Sequence, residues 1–249
     1  STQAKTLFPY TTLFRSVTNS TASITVTTSA GADLGGTKTI AAIGGSATFS
    51  NLKLTGTAAT TYTLSFTSGS LAGTSDTIYL VHGAATKLAV TTLATGFENR
   101  ADFSINPVVT VQDASGNTVT DSSASVEISI SDATLTGTNT TITALNGVAA
   151  FSGLGKHGTI GTKVLTFKSA GLADATQSFE LTHGAATHLE LYAAANAAKA
   201  GIAFGGQPTV RILDADDNLV DTGANAEATI EVTTSAANYN AAQHTGANL

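Results

Sequence analysis

The sequence contains no cysteine and no tryptophan, and each absence narrows the classes of protein to which it can belong. Without cysteine there is no disulfide framework and no thiolate metal site. Export is not excluded, because domains of moderate size bury a core without covalent cross-links. The lack of tryptophan, together with only five tyrosines, argues against a protein that binds carbohydrate chiefly by stacking aromatic rings on it.

Charged residues are also scarce, at 11% of the chain, with 11 Lys and Arg against 17 Asp and Glu. The cationic side chains are too few and too scattered to neutralise a row of phosphates, so we expect no nucleic-acid partner. The same scarcity leaves no polybasic patch for a membrane surface. No apolar run reaches the length needed to cross a bilayer, so we expect no direct membrane insertion.

The most informative feature that is present is an internal repeat. The segment His-Gly-Ala-Ala-Thr begins at His82 and recurs at His183, 101 residues later. This spacing is about the size of one β-sandwich domain, and repetition at such a period indicates an array of similar units. Threonine, serine, alanine and glycine dominate the composition, and threonine with valine and isoleucine favours β-strands.

Further matches at the same spacing divide the chain into three units. Pairs 101 or 102 residues apart include Ile24 and Val126, Phe49 and Phe151, Leu64 and Leu165, Phe103 and Phe204, and Asn117 and Asn218. They predict a first unit (17–81) that lacks its first strands, a complete middle unit (82–182) and a third unit (183–249) that lacks its last strands. We expect the two incomplete units to expose apolar faces and unpaired strand edges.

Residues 1–16 do not fit this repeat. Within them, residues 6–16 match one reading frame of a common sequencing-library adapter. The segment has neither the charged start nor the small-residue cleavage site of a signal peptide. We therefore interpret 1–16 as a non-native, adapter-derived artefact, the alternative being an unusual genuine strand.

The pattern within the middle unit predicts seven or eight short strands. Candidate strands are 87–90, 107–112, 125–131, 148–151, 163–168 and 178–181, a strand opening at Val119, and 134–144 as a strand pair or one long strand. Asp113 and Asn117 enclose a predicted Asx turn, and Asn146-Gly147 predicts a hairpin. Residues 193–200 are alanine-rich, which favours a helix, but the repeat places them in a connection, with at most one helical turn.

Several of these segments carry a family resemblance. Gly83-Ala-Ala-Thr-Lys-Leu, Pro107-Val-Val-Thr-Val-Gln-Asp-Ala-Ser-Gly-Asn, Asn146-Gly-Val-Ala-Ala-Phe and Leu165-Thr-Phe recur in order at fixed spacing. The sequence from Val17 onward resembles bacterial immunoglobulin-like repeats of the invasin/intimin and filamin-like kind, found in tandem in large surface adhesins. The resemblance implies an all-β fold of tandem immunoglobulin-like β-sandwiches, one complete unit flanked by two truncated ones. It also implies an extracellular location at a bacterial cell surface.

One segment could bind a metal ion. Asp214, Asp216, Asp217 and Asn218 offer several oxygen ligands of the kind that calcium prefers. No glycine occupies a sharp-turn position and no distal glutamate completes a known calcium loop. The alternative is a hairpin turn stabilised by Asx hydrogen bonds. Apart from this calcium candidate, we expect no cofactor.

No motif indicates catalysis, and we expect a protein that is not an enzyme. Gly153-Leu-Gly-Lys-His-Gly158 has the dinucleotide-binding spacing, but a strand follows it instead of a helix, so we interpret it as a turn between strands. His82 and His183 are interpreted as junction residues. Lys87, Lys163 and Lys168 are expected to point outward from their strands, which argues against a Lys–Asn cross-link.

Two functions are compatible with these features. The first is a structural spacer or stalk of a long exported adhesin-like protein, in which neighbouring repeats of the same chain are the partners and short junctions make a stiff rod. The second is a ligand-binding module that contacts a glycan or host protein through its loops.

Overall fold

Antiparallel β-sheets joined by turns make up the part of the chain that the computed structural model describes, residues 20–197, 199–224 and 226–233. No helix occurs within these ranges, and the prediction of an all-β protein is confirmed. The predicted artefact, 1–16, and the last part of the third predicted unit, 234–249, lie outside the described residues.

Seventeen strands occur in these ranges. In chain order they are β1 Ser23–Thr28, β2 Ala32–Gly35, β3 Thr39–Ala41, β4 Lys53–Gly56, β5 Thr60–Ser68, β6 Leu71–Leu80, β7 Lys87–Thr92, β8 Val108–Gln112, β9 Ser125–Ile130, β10 Thr134–Thr136, β11 Thr141–Thr143, β12 Val148–Ala150, β13 Gly155–His157, β14 Gly161–Lys168, β15 Ala175–Leu181, β16 His188–Ala193 and β17 Thr209–Leu213.

The middle predicted unit has a sandwich-like arrangement of two sheets. One sheet has the order β11-β9-β14-β15 and the other the order β12-β8-β7. Alternate residues of their strands point inward, so that Val109 and Val111 join Val126, Leu165 and Phe167 in a single apolar cluster. Each of these five side chains is fully buried, which is worth roughly 1.5–3 kcal/mol per side chain relative to exposure.

The connections of this unit follow the sequence predictions in part. At the predicted hairpin, Asn146 and Gly147 have φ angles of 52° and 74°, and Leu145 and Val148 exchange backbone hydrogen bonds. Residues 134–144 form two strands, but these do not pair with each other, since β10 pairs with β13 and β11 pairs with β9.

Two other local predictions are wrong. No strand opens at Val119, whose N–H instead donates to the Val111 carbonyl from an irregular segment. The glycine-rich stretch is only partly a turn, because Gly155–His157 forms the buried strand β13. Val119 is positioned by β8, directly across the Asx turn, and Gly155–His157 is positioned by its pairing with β10.

The flanking strands pair in registers that match the middle unit. In the sheet β3-β1-β5-β6, Val26 lies opposite Phe66, as Ile128 lies opposite Phe167 in the sheet β11-β9-β14-β15. The pair β16–β17 has the register of β7–β8. Both pairs contain an irregularity at the equivalent position, between Leu191 and Ala193 and between Val90 and Thr92.

Burial differs between these equivalent elements. Leu88 on β7 is 4% exposed, whereas its equivalent on β16, Leu189, is 54% exposed. In the described residues of the first predicted unit the buried cluster is small and consists of Val26, Leu34 and Leu64. The alanine-rich stretch 193–200 contains no helix in its described residues, in agreement with the repeat and against the intrinsic propensity of alanine.

Candidate functional site

A network of side-chain hydrogen bonds lies at each place where the predicted units meet. We define the first joint as the contact between residues 56–58 and the turn 113–117, and the second joint as the contact between residues 158–160 and the turn 214–218. At each joint the His-Gly segment that precedes the next strand is fixed to the turn. The N–H of Gly83 donates to Asp113 Oδ2 at 2.8 Å, and the N–H of Gly184 donates to Asp214 Oδ2 at 2.9 Å.

Each turn is organised around its first aspartate. Asp113 Oδ1 accepts the N–H groups of Ser115 and Asn117, both at 2.9 Å, which is the expected Asx turn. The turn also requires one residue with a positive φ angle, in the left-handed region of backbone conformation. Gly116 supplies it at the first joint with φ 87°, and Asp217 supplies it at the second with φ 61°, since aspartate tolerates this region better than most residues.

The aspartates at the start of both turns are buried and ionised. Burial alone would raise the pKa of Asp113, but hydrogen bonds from the Gly83 N–H, the Asn117 side chain and N–H, and the Ser115 N–H outweigh it and lower the pKa to about 2. For Asp214 the same opposition of burial and hydrogen bonds, led by the Gly184 N–H and the Asn218 side chain, leaves the pKa well below its usual range.

An asparagine at the end of each turn bridges to the preceding strand group. Asn117 Oδ1 accepts the N–H of Ala58 at 2.9 Å, and Asn117 Nδ2 donates to the Gly56 carbonyl at 3.1 Å. Asn218 Oδ1 accepts the N–H of Ile160 at 3.0 Å, and Asn218 Nδ2 donates to the Gly158 carbonyl at 2.9 Å. One side-chain amide therefore satisfies one backbone donor and one backbone acceptor across each joint.

The second joint has an additional set of side-chain contacts. Asn99 Nδ2 donates at 2.8 Å both to Asp214 Oδ2 and to Asp216 Oδ2. Arg100 donates to both carboxylate oxygens of Asp216 through Nε and a terminal nitrogen, a bidentate geometry that strengthens such pairs. The hydrogen bond from Arg100 is the main reason that the pKa of Asp216 is lowered.

Three of the four calcium candidates are engaged in these contacts. The oxygens of Asp214 accept N–H groups, those of Asp216 face Arg100 and Asn99, and Asn218 bridges the joint. Asp217 points away from them, with Oδ1 3.1 Å from Nε2 of His188. No group of three or more metal-ligating side chains is found among the described residues. Calcium binding stays a prediction, and a cation here would have to displace N–H donors.

The two junction histidines occupy matching environments. His82 Nδ1 lies 3.0 Å from the Gly83 carbonyl, and Nε2 lies 3.4 Å from Asp121. For His183 the corresponding distances are 2.9 Å to the Gly184 carbonyl and 3.6 Å to Asp221. Each histidine therefore contacts the predicted unit that it begins, through a carboxylate just beyond the Asx turn.

Two buried lysines were not found by sequence reasoning. The expectation that Lys163 points outward is wrong, because it lies on the core face of β14 with Leu165 and Phe167. Lys156 on β13 is 1% exposed, and its Nζ donates to the carbonyls of Gly96, Ala101 and Asp102. Burial lowers the pKa of Lys156.

A cleft of about 450 Å³ opens beside the first joint. Its lining includes Thr57, Tyr79, Val81, His82 and Asn117. Tyr79 and Val81 are both largely exposed, so the wall they form is apolar and accessible.

Comparisons with known proteins add little to this geometry. No protein-family model matches the sequence, and no curated protein matches it. Similar solved structures include a β-glycosidase from Bacteroides vulgatus, with 11% identity over 64% of this chain and 21% of that chain and a TM-score of 0.33. Two structures of a β-glucuronidase from Parabacteroides merdae have 19% and 14% identity, cover 48% and 64% of this chain and 16% and 21% of that chain, and give TM-scores of 0.31 and 0.32.

The chain thus spans about a fifth of the length of these structures. Similarity at this level carries no argument about function. Within the described ranges no helix has the length and apolarity needed to cross a membrane.

Proposed function

We propose that this chain is a series of tandem immunoglobulin-like β-sandwich units that act as a spacer or stalk in a long, exported, adhesin-like protein of the bacterial cell surface. The units are 17–81, 82–182 and 183–249, they carry out no catalysis, and their partners are the neighbouring units. The three-stranded and four-stranded sheets of the middle unit support an immunoglobulin-like arrangement.

The observation that carries the spacer proposal is the recurrence of one joint. At both joints an asparagine amide accepts one backbone N–H and donates to one backbone carbonyl of the preceding group. The connection is also short, because β15 ends at Leu181 and β16 begins at His188. A short connection that is hydrogen-bonded on both sides restricts rotation between units, and a row of such joints makes a stiff rod.

The stiffness of the rod is tested by removing both bridging amides. We expect the Asn117→Ala, Asn218→Ala double variant to become more flexible, which small-angle X-ray scattering registers as a loss of the extended, rod-like profile. Asn51→Ala is the matched control, because the Asn51 side chain makes two hydrogen bonds to Thr37 within its own strand group. A profile that is already flexible in the unaltered chain would contradict the spacer proposal.

The location of the intact protein is a separate part of the proposal. It rests on the resemblance to repeats of surface adhesins, and antibody labelling of intact cells that carry the gene tests it. Labelling only after cells are lysed would contradict a surface location.

A second candidate function is favoured by the cleft at the first joint. Its volume is within the range of small-ligand sites, and the exposed ring of Tyr79 could stack on a sugar or a peptide side chain. A glycan array probed with the whole chain separates the two functions. Selective binding that is lost in Tyr79→Ala would favour a binding module, whereas the absence of binding would favour the spacer function.

A further inference from the structure

We propose that Asn99, Arg100 and residues 158–160 form a docking surface at the end of the middle unit, and that this surface selects a following unit with a carboxylate at the position of Asp216. The partner it fits is a β-sandwich unit whose Asx turn reads Asp-Ala-Asp-Asp-Asn. The inference rests on the proposed stacking of units and specifies which units can be neighbours.

The docking surface is held in place from within the middle unit. Asn99 Oδ1 accepts the N–H of Gly158 at 2.9 Å, and the Asn99 N–H donates to the Thr182 carbonyl at 2.9 Å. Nδ2 is thereby directed toward the next unit. The Arg100 N–H donates to the Lys156 carbonyl, and Arg100 has a φ of 60°, a conformation that a non-glycine residue keeps only when its surroundings enforce it.

Buried Lys156 supports this loop on its other side. Its Nζ donates to the carbonyls of Ala101 at 3.0 Å and Asp102 at 3.4 Å, directly after Arg100. The residues that face the next unit are therefore held by hydrogen bonds that belong to the middle unit, which favours a specific contact over an adaptable one.

The turn opposite this surface differs between units. At the second joint, Asp216 receives Arg100 in a bidentate pair and Asn99 in a third hydrogen bond. Asp216 is equivalent to Ser115, 101 residues earlier, whereas the flanking Asp and Asn of the turn are the same in both units. A following unit with serine at this position would leave the guanidinium without a carboxylate, although the asparagine bridge would still form. The asparagine bridge is thus common to both joints, and the Arg100 pair distinguishes between neighbours.

Distances between spin labels test this selection in the whole chain. Because the sequence has no cysteine, Thr176→Cys with Thr209→Cys places labels only on either side of the second joint, and Ser75→Cys with Thr176→Cys does so for the first. All three positions are exposed in strands. Pulsed electron spin resonance then gives a distance distribution for each joint.

In Asp216→Ser and Asp216→Asn we expect the distribution across the second joint to broaden, with about a five-fold fall in the ratio of docked to undocked forms, the effect of losing an ion pair of ordinary strength. The first joint should not change. Asp217→Asn is the matched control, because it removes a neighbouring charge that faces His188 instead of Arg100.

Each outcome decides a different point. Narrow distributions that Asp216→Ser leaves unchanged, or equal broadening in Asp217→Asn, would overturn the selection by Arg100 while leaving the stacked units intact. Broad distributions across both joints in the unaltered chain would overturn the stacking itself, and the selection with it.

Discussion

The acid sensitivity of the first joint follows from the surroundings of Asp113. This carboxylate is 4% exposed and accepts hydrogen bonds from Gly83, Ser115 and Asn117, which lower its pKa from 3.8 to about 2. A depressed pKa means that the folded state favours the ionised carboxylate more than the unfolded chain does. The stabilisation is therefore complete above pH 3.8 and is lost as the pH falls from 3.8 through about 2.

The size of this contribution follows from the same shift. At about 1.4 kcal/mol per pKa unit, the shift corresponds to about 2 kcal/mol of stability at neutral pH. Replacing Asp113 by asparagine should remove it, because the amide offers one acceptor and one donor where the turn presents only N–H donors. The protonated carboxyl has the same limitation, so the unaltered chain should approach the stability of Asp113→Asn at the lowest pH.

Nuclear magnetic resonance measures both quantities. The amide protons of Gly83, Ser115 and Asn117 donate to Asp113, so their chemical shifts should titrate together with a midpoint near pH 2 and should not titrate in Asp113→Asn. Hydrogen exchange of core amides in β8 and β14 gives the stability difference between the two proteins. A midpoint near 3.8, or a stability difference that does not change with pH, would refute the reasoning.

Three further predictions concern the middle unit, and urea unfolding checks each. Phe167→Ala should cost about 3–5 kcal/mol, because the ring is fully buried between the two sheets. Lys156→Met should cost about 1–3 kcal/mol, because three carbonyls lose their donor; a stabilised variant would contradict this. Gly147→Ala should be more harmful than Gly153→Ala. Both glycines have positive φ, but a Cβ would lie 2.3 Å from the Val119 carbonyl oxygen at Gly147 and meet nothing within 4 Å at Gly153.

Repetition and turn chemistry were the reliable guides from sequence to fold. The spacing of about 101 residues identified equivalent strands, and these strands pair in matching registers. The Asx turn of Asp113 and the hairpin at Asn146-Gly147 formed as expected, because both depend on local bonds and on residues that accept positive φ.

One error came from letting residue type override strand geometry. Lys163 shares the period of two with Leu165 and Phe167, so the alternation already placed it on the core face, where the structure has it. Its charge suggested the opposite. In the stretch 134–144, Leu135 and Ile142 each alternate with threonine, and this pattern indicates strands without indicating their partners. Nothing in the sequence therefore showed that β10 and β11 belong to different sheets.

The sequence predicted the contacts at the joints only in part. The equivalence of Asn117 and Asn218 was evident from the repeat, but their partners were not. Each asparagine contacts backbone atoms about 60 residues earlier in the chain, and no local pattern connects the two. The pair of Arg100 and Asp216 was even harder to predict from the sequence, because it joins residues 116 positions apart.

The bridging asparagines contact main-chain atoms, and this determines which substitutions the sequence can accept during evolution. Gly56-Thr-Ala58 and Gly158-Thr-Ile160 present the same N–H and carbonyl, although alanine in one stands where isoleucine stands in the other. Substitutions in these turns therefore leave the bridge intact as long as the backbone keeps its path. The middle predicted unit carries both elements, since Asn117 bridges to the preceding turn and residues 158–160 accept the bridge from Asn218. Duplication of the middle unit would thus keep the asparagine bridge at each new joint, whereas Arg100 would face the equivalent of Ser115 and lose its carboxylate partner. The number of units can therefore vary while the bridge is retained.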